Sequence, residues 1–345
     1  MSTADPSSAA EMTDSSRLIV TNGDSAAGML REFGFLSPIL PWRDVLHDGP
    51  VPDLPIEHLS EVRSRFLHDQ GLAPLEETLR QFSERDRILL DSGRFQELVL
   101  WFEHDLYDQL QLLQVIHTLA VIEPKPRLTS IFSNPHITSF DQTATLTNFR
   151  ARQPLTEQQL HVGSSLWTAF TRGDYRRLEQ VALSNDTTFP DLAPALYRWL
   201  EEFPWVTHGL TRSEFQIAES LNWHPRLDPV HLFCETQQLE EARFLGDSFF
   251  WCYLMELEKR KVIKEEERGV FRPPWDCSSP EEFRSQILAL GLSGAAVFSA
   301  GHGLFGPLLG SGYTRWVGGA EVNSENPWWW DPQKKRLVQS LPLSN

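Results

Sequence analysis

At 345 residues, 41% of them hydrophobic, the chain is long enough for two or three domains with packed cores, which excludes global disorder. A formal net charge of −16 and a pI near 5.1 argue against non-specific nucleic-acid binding, which relies on Lys and Arg neutralising phosphates. No apolar run approaches the roughly 18–20 residues needed to cross a bilayer, and Cys234, Cys252 and Cys277 are widely spaced without a CxxC pair, so neither a disulfide framework nor a thiolate zinc site is expected.

Met1 to Ser16 is rich in Ser, Ala and Asp. It lacks the basic n-region and apolar core of a signal peptide, so it reads as a disordered tail, with the cytoplasm as the expected location. Arg17 to Thr21 is a short β-branched run ending in Asn22-Gly23-Asp24-Ser25, and Ala26 to Phe33 follows with a helical pattern. This is the strand–turn–helix opening of an α/β domain. Pro38 to Trp42 predicts a second strand, leading into the loop Arg43-Asp44-Val45-Leu46-His47-Asp48-Gly49-Pro50.

Two helices are predicted next. Ile56–Asp69 places Leu59, Val62, Phe66 and Leu67 at helical spacing, and Pro74–Ser92 does so with Leu75, Leu79, Phe82 and Leu89. Glu97 to Phe102 is an almost unbroken apolar run, the pattern of a central buried strand. It ends in Glu103-His104-Asp105 and enters a helix bearing Leu106, Leu110, Leu113 and Ile116 on one face. Arg127 to Phe132 predicts the next strand. The order implies a Rossmann-like parallel sheet of four or five strands over 17–150.

Residues 151–203 read as helices that pack on this domain or bridge to the next. Over 204–274, a Thr211–Glu214 capping box opens one helix, a short helix follows Pro229, and Gly246-Asp-Ser opens a third. Val262–Glu265, a turn and Val270–Arg272 then resemble a β-wing, which makes a winged-helix-like module the expectation. From 275 to 345 the chain is a small β-rich segment. Strands are expected around Tyr313–Val322 and Trp328–Val338, with a turn at Asp331–Lys334.

Three polar clusters fall at predicted strand ends: Asn22–Ser25, Arg43–Asp48 and Glu103–Gln109. Polar groups there are costly to desolvate without partners, and ligands of open parallel sheets bind outside the carboxyl ends of the strands. Two helix N-termini and the planar fork of Arg43 suit an anion, so a nucleotide or phosphorylated metabolite is the expected ligand. Neither GxGxxG nor GxxxxGK[ST] is present. The ligand-binding set is Asn22, Gly23, Asp24, Arg43, Glu103, Asp108 and Gln109.

Three roles fit the clusters. In a hydrolase, Ser25 is the nucleophile, with His47 or His104 as base and Asp44 or Asp105 as orienter. In a metal-assisted reading, Asp24, Asp44, Asp105 and Asp108 offer oxygen ligands to Mg²⁺. In a non-catalytic reading, the site only senses a ligand, and the protein is a regulatory adaptor, transcription-associated or otherwise, that contacts a protein partner through residues 204–274. Each residue also has a plain structural use: Asp24-Ser25 and Asp105 as helix caps, Arg43 and Asp44 as a loop ion pair. Residues 204–274 hold nine Lys/Arg against twelve Asp/Glu, which favours a protein contact over DNA.

The Asn-Gly-Asp-Ser turn, the Trp-Arg-Asp-x-Leu-His-x-Gly-Pro-Val loop and the Leu-Trp-Phe-Glu-His-Asp-Leu-Tyr-Asp-Gln-Leu run together resemble a bacterial family, domain-of-unknown-function family 1835. Gly-Leu-Thr-Arg-Ser-Glu (209–214), Phe-Leu-Gly-Asp (244–247) and Arg-Trp-Val-Gly-Gly (315–319) are similar to the C-terminal half of its longer members. The resemblance covers most of the chain and implies no particular reaction. One departure is Asn134–Phe140, which stands where the family has a Gly-Leu-Gly turn.

Overall fold

The structure, a computed structural model, describes residues 12–123, 125–133, 139–184, 187–299, 314–323 and 325–339. Two units are distinguished: Met1–Leu196 with Trp316–Ala320, and Tyr197–Arg315 with Glu321–Asn345. No helix among the described residues is long and apolar enough to cross a membrane. Most of the 134–140 departure lies outside the described residues.

The first unit is built on five strands: β1 (Arg17–Thr21), β2 (Ile39–Pro41), β3 (Glu97–Glu103), β4 (Arg127–Ser133) and β5 (Gln153–Pro154). Their order is β2-β1-β3-β4-β5. The first four run parallel, as the alternation of strands and helices predicts, and β5 closes one edge antiparallel to β4. Every residue of β1 and β3 is buried, which explains why both read as unbroken runs rather than as alternating strands. Four helices follow the predicted spacing: α1 (Asp24–Glu32), α2 (Ile56–Asp69), α3 (Leu75–Leu90) and α4 (Leu106–Leu119). On one sheet face, Ile19, Val99, Trp101 and Ile131 meet Leu30, Phe35 and Phe149 of helix α5 (Gln142–Arg150). Met12, inside the stretch read as a disordered tail, is buried in this cluster, and its carbonyl accepts from the N–H groups of Leu36 and Ser37.

Helices α6 (Glu157–Thr171) and α7 (Tyr175–Ala182) belong to the first unit. Gly163 lets α6 approach α4, because a Cβ there would sit 2.7 Å from Ile116 Cγ2. Residues 316–320 complete the unit. Gly318, at φ +64, accepts from the Val51 N–H at 3.0 Å, and the Gly319 N–H donates to the Phe170 carbonyl at 2.9 Å. A Cβ on Gly319 would lie 1.7 Å from the Thr171 carbonyl oxygen, so only glycine fits this approach.

The division between the units falls in α8 (Leu192–Leu200). The second unit carries α9 (Arg212–Trp223), α10 (Pro229–Gln237) and α11 (Asp247–Lys259), the three helices expected there. The expected wing is not formed. Strand β6 (Ile263–Glu265) pairs antiparallel with the distant β7 (Leu288–Leu290), and Val270–Arg272 is not a strand. Side chains take over the hydrogen bonds that a hairpin would make. The Glu265 carboxylate accepts from the Arg268, Gly269 and Ile287 N–H groups, Glu258 accepts from Phe271, and Gln286 holds both the N–H and the carbonyl of Arg272.

Short helices α12 (Pro280–Arg284) and α13 (Leu292–Ser299) flank β7, and β8 (Thr314–Val317) pairs with β9 (Ala320–Asn323). Strands β10 (Trp329–Asp331) and β11 (Arg336–Val338) form an antiparallel pair. The turn between them is where the sequence places it, because Asp331 accepts from the Gln333 and Lys334 N–H groups.

Candidate functional site

Thr21 is in register with Pro41 on one side and Trp101 on the other. The carboxyl ends of β1, β2 and β3 therefore lie side by side, and the three polar clusters leave the sheet from one edge. Helices α1 and α4 begin there too. Gly23 occupies the N-cap of α1 without any side-chain cap, so Asp24 and Ser25 do not serve as its caps. Asp105 does cap α4, accepting the Asp108 N–H at 3.1 Å.

Around that cap the chain ties a knot of acids. Asp108 Oδ1 accepts from the Glu103 N–H at 2.6 Å and Oδ2 from Asn22 Nδ2 at 2.8 Å. Gln109 Nε2 donates to the Glu103 carbonyl at 2.6 Å. Glu103, Asp105 and Asp108 are all buried, and one carboxylate oxygen from each lies within 4.8 Å of the others. Burial, then the charges of Asp105 and Glu103, push the Asp108 carboxyl well above its usual range. Tyr107 donates to the Asn22 carbonyl at 3.4 Å, and burial raises its phenol, with Asp108 adding to the effect.

Arg43 and Asp44 do not pair with each other. Arg43 is left-handed at φ +66, a conformation that non-glycine residues seldom take, and it turns consecutive side chains apart. Its guanidinium faces outward, bound to both Asp24 oxygens at 2.7 Å, which lowers the Asp24 carboxyl and raises Arg43. Asp44 turns inward to Arg63 Nε at 3.0 Å, and both side chains are fully buried. Arg63 also donates to the carbonyls of Val45 and Asp48 at 2.7 Å and of Pro50 at 3.2 Å. Gln111 Nε2 holds the Asp44 carbonyl at 2.7 Å. His47 is buried, edge-on to Tyr107 at 6.3 Å between ring centroids.

Gly49 bends the same loop at φ +74, where a Cβ would come within 2.4 Å of the Phe66 ring. Gly49→Ala is expected to lower stability by about 1–3 kcal/mol through backbone strain and overpacking. Denaturant melts of the two proteins measure it, and coincident curves would show that the loop is not held as described.

The remaining site residues occupy different settings. Ser25 is exposed on the first turn of α1, whereas His47 is buried. His104 is half-buried and faces Asp191, whose carboxyl is raised by burial against the opposing pull of that histidine. Asp24 and Asp44, committed to arginines, do not join Asp105 and Asp108 as one cation-ligand set, and Glu103 stands with those two instead.

The supports of the loop are not evident in the sequence. Arg63 and Arg85 look like solvated helix residues but are buried. Arg85 lies 4.2 Å from the Trp42 ring and 4.1 Å from the Phe82 ring, donates to the Trp42 carbonyl at 2.9 Å, and contacts Asp86 and Ser60. Burial raises the Asp86 carboxyl. The available signal was position, since each arginine interrupts the apolar stripe of its helix. No protein-family model matches the chain, and no curated protein matches it.

Proposed function

We propose that the first unit binds a small anionic ligand, a nucleotide or phosphorylated metabolite, at the carboxyl ends of β1, β2 and β3, and acts on it as a hydrolase or transferase. Membership of domain-of-unknown-function family 1835 is part of the same proposal, supported by the three motifs at this edge. The observation that carries the ligand reading is Arg43, whose two-pronged guanidinium is held outward by a left-handed backbone at the edge where α1 begins without a side-chain cap. Such a fork matches two oxygens of a phosphate, and free N–H groups at a helix start favour the same charge. A ligand phosphate would take the place of Asp24 on Arg43. Ser25 and His104 are the accessible groups for chemistry, while Asp44 and His47 serve by shaping the loop.

Calorimetric titration with nucleoside phosphates, sugar phosphates and inorganic phosphate tests this. Arg43→Gln is expected to weaken binding at least about tenfold, some 1.4 kcal/mol, with little change in folding. Equal affinity in the variant would remove Arg43 from the site and the reading with it.

For the second unit we propose a winged-helix-like module of altered form, α9 to α11 with β6 paired to β7, serving as a protein contact. Two of the three cations at the end of α11 are paired locally: Lys259 with Glu256 and Arg260 with Glu214. That leaves little positive field for phosphates.

A further inference from the structure

The acid knot at the start of α4 gathers carboxylate oxygens in the way a cation site does. Three carboxyl groups, from Glu103, Asp105 and Asp108, converge out of solvent. Asp108 already accepts on both oxygens, from Glu103 and Asn22.

A second observation comes from a neutral group. Gln109 is 1% exposed, and its Oε1 is a buried oxygen with no hydrogen-bond donor. Its amide nitrogen is fixed on the Glu103 carbonyl, so the amide folds back over the turn that carries Glu103 and Asp105. An amide oxygen buried without a donor is rare in folded proteins unless it meets water or a cation.

We infer that Glu103, Asp105, Asp108 and the Gln109 amide oxygen form a site for one hard divalent cation of the Mg²⁺, Mn²⁺ or Ca²⁺ class. All these donors are oxygens, the ligand type such ions select. Two oxygens across a Ca²⁺-sized ion, each about 2.3–2.6 Å from it, stand about 4.6–5.2 Å apart. The three carboxylate oxygens lie within 4.8 Å of one another, inside that span. Asn22, bonded to Asp108, and His104, between Glu103 and Asp105 in the chain, are both half-exposed at the crevice edge of the knot. There the cation would add positive charge beside a bound phosphate. That use rests on the ligand reading above, whereas cation binding is measurable alone.

The experiment titrates Mn²⁺ into the full chain after removal of metals with EDTA, following loss of the free-ion electron paramagnetic resonance signal. One saturable site is expected, displaced by Mg²⁺ or Ca²⁺. Glu103→Gln should weaken it by about 10–100-fold. Should that variant fail to fold, Gln109→Leu is read in its place, with a smaller but measurable loss. Absence of a saturable site in the wild-type chain, or Mn²⁺ affinity unchanged in the folded variant, overturns the assignment. Phosphate-ligand titrations in EDTA separate the two proposals: ligand binding without a Mn²⁺ site leaves only the ligand reading, and a Mn²⁺ site without ligand binding leaves only the cation.

Discussion

Replacing Arg63 by alanine is expected to destabilise the first unit by about 3–5 kcal/mol, the cost of stranding one partner of a buried ion pair. Asp44 would lose its charge partner in a site closed to solvent, and the Val45, Asp48 and Pro50 carbonyls would lose donors at the same time. The guanidinium also lies 4.9 Å from the Phe66 ring, which itself packs on Gly49. Urea unfolding at neutral pH measures the loss. The double variant Arg63→Ala with Asp44→Ala should recover part of it, because no charge is then left unpaired. A loss below about 1 kcal/mol, the range of exposed ion pairs, would show that Arg63 does not clamp the loop.

Glu97→Gln is the second large effect, and it is pH-dependent. At the opposite edge of the sheet, where β1, β3 and β4 begin, Glu97 binds Arg17 at 2.7 Å, Arg127 at 2.8 Å and Arg152 at 2.9 Å, with Thr129 at 3.0 Å. These donors outweigh burial and hold its carboxyl at about 2, against an ordinary 4.5. A lowered folded-state value favours the folded chain wherever the group is ionised. The contribution is complete above pH 4.5 and fades as pH falls towards 2. Converted, the shift is on the order of 2–3 kcal/mol, discounted because Arg127 is largely solvent-facing. The stability gap between wild type and Glu97→Gln should be open at pH 7 and narrowed to roughly a quarter of that at pH 2.5. A gap of the same size at both pH values would mean that the arginines do not act through this charge.

The sheet was legible because its signals are local. Runs such as Leu98–Phe102 carry their burial in their composition, and α1 to α4 repeat apolar residues at the helical period. The convergence of the clusters was legible too, since parallel strands place all their carboxyl ends at one edge. Partner choice was not. The backbone angle at Arg43 decides that Arg43 meets Asp24 and Asp44 meets Arg63, and nothing in the loop's composition encodes that angle. The same holds for β6, whose partner lies past a loop ordered by Glu258, Glu265 and Gln286, three residues that read as ordinary surface polars. Arg63 and Arg85 were hidden because a buried arginine and a solvated one look alike until the acids and carbonyls around them are known.

The glycine pair at 318–319 also bears on how the chain is made. Trp316 follows Leu196 by 120 residues, yet residues 316–320 belong to the first unit. During synthesis the Val51 N–H, the Phe170 carbonyl and the Tyr175 hydroxyl, which bonds the Val317 carbonyl, have no counterpart until that distant turn emerges. The unit that starts first therefore cannot close until residues 316–320 are made. Its completion spans a long loop, the kind of contact that forms late and slowly. A fragment ending at Leu196 would hold the five strands and the acid knot but leave the end of α6 without its cover.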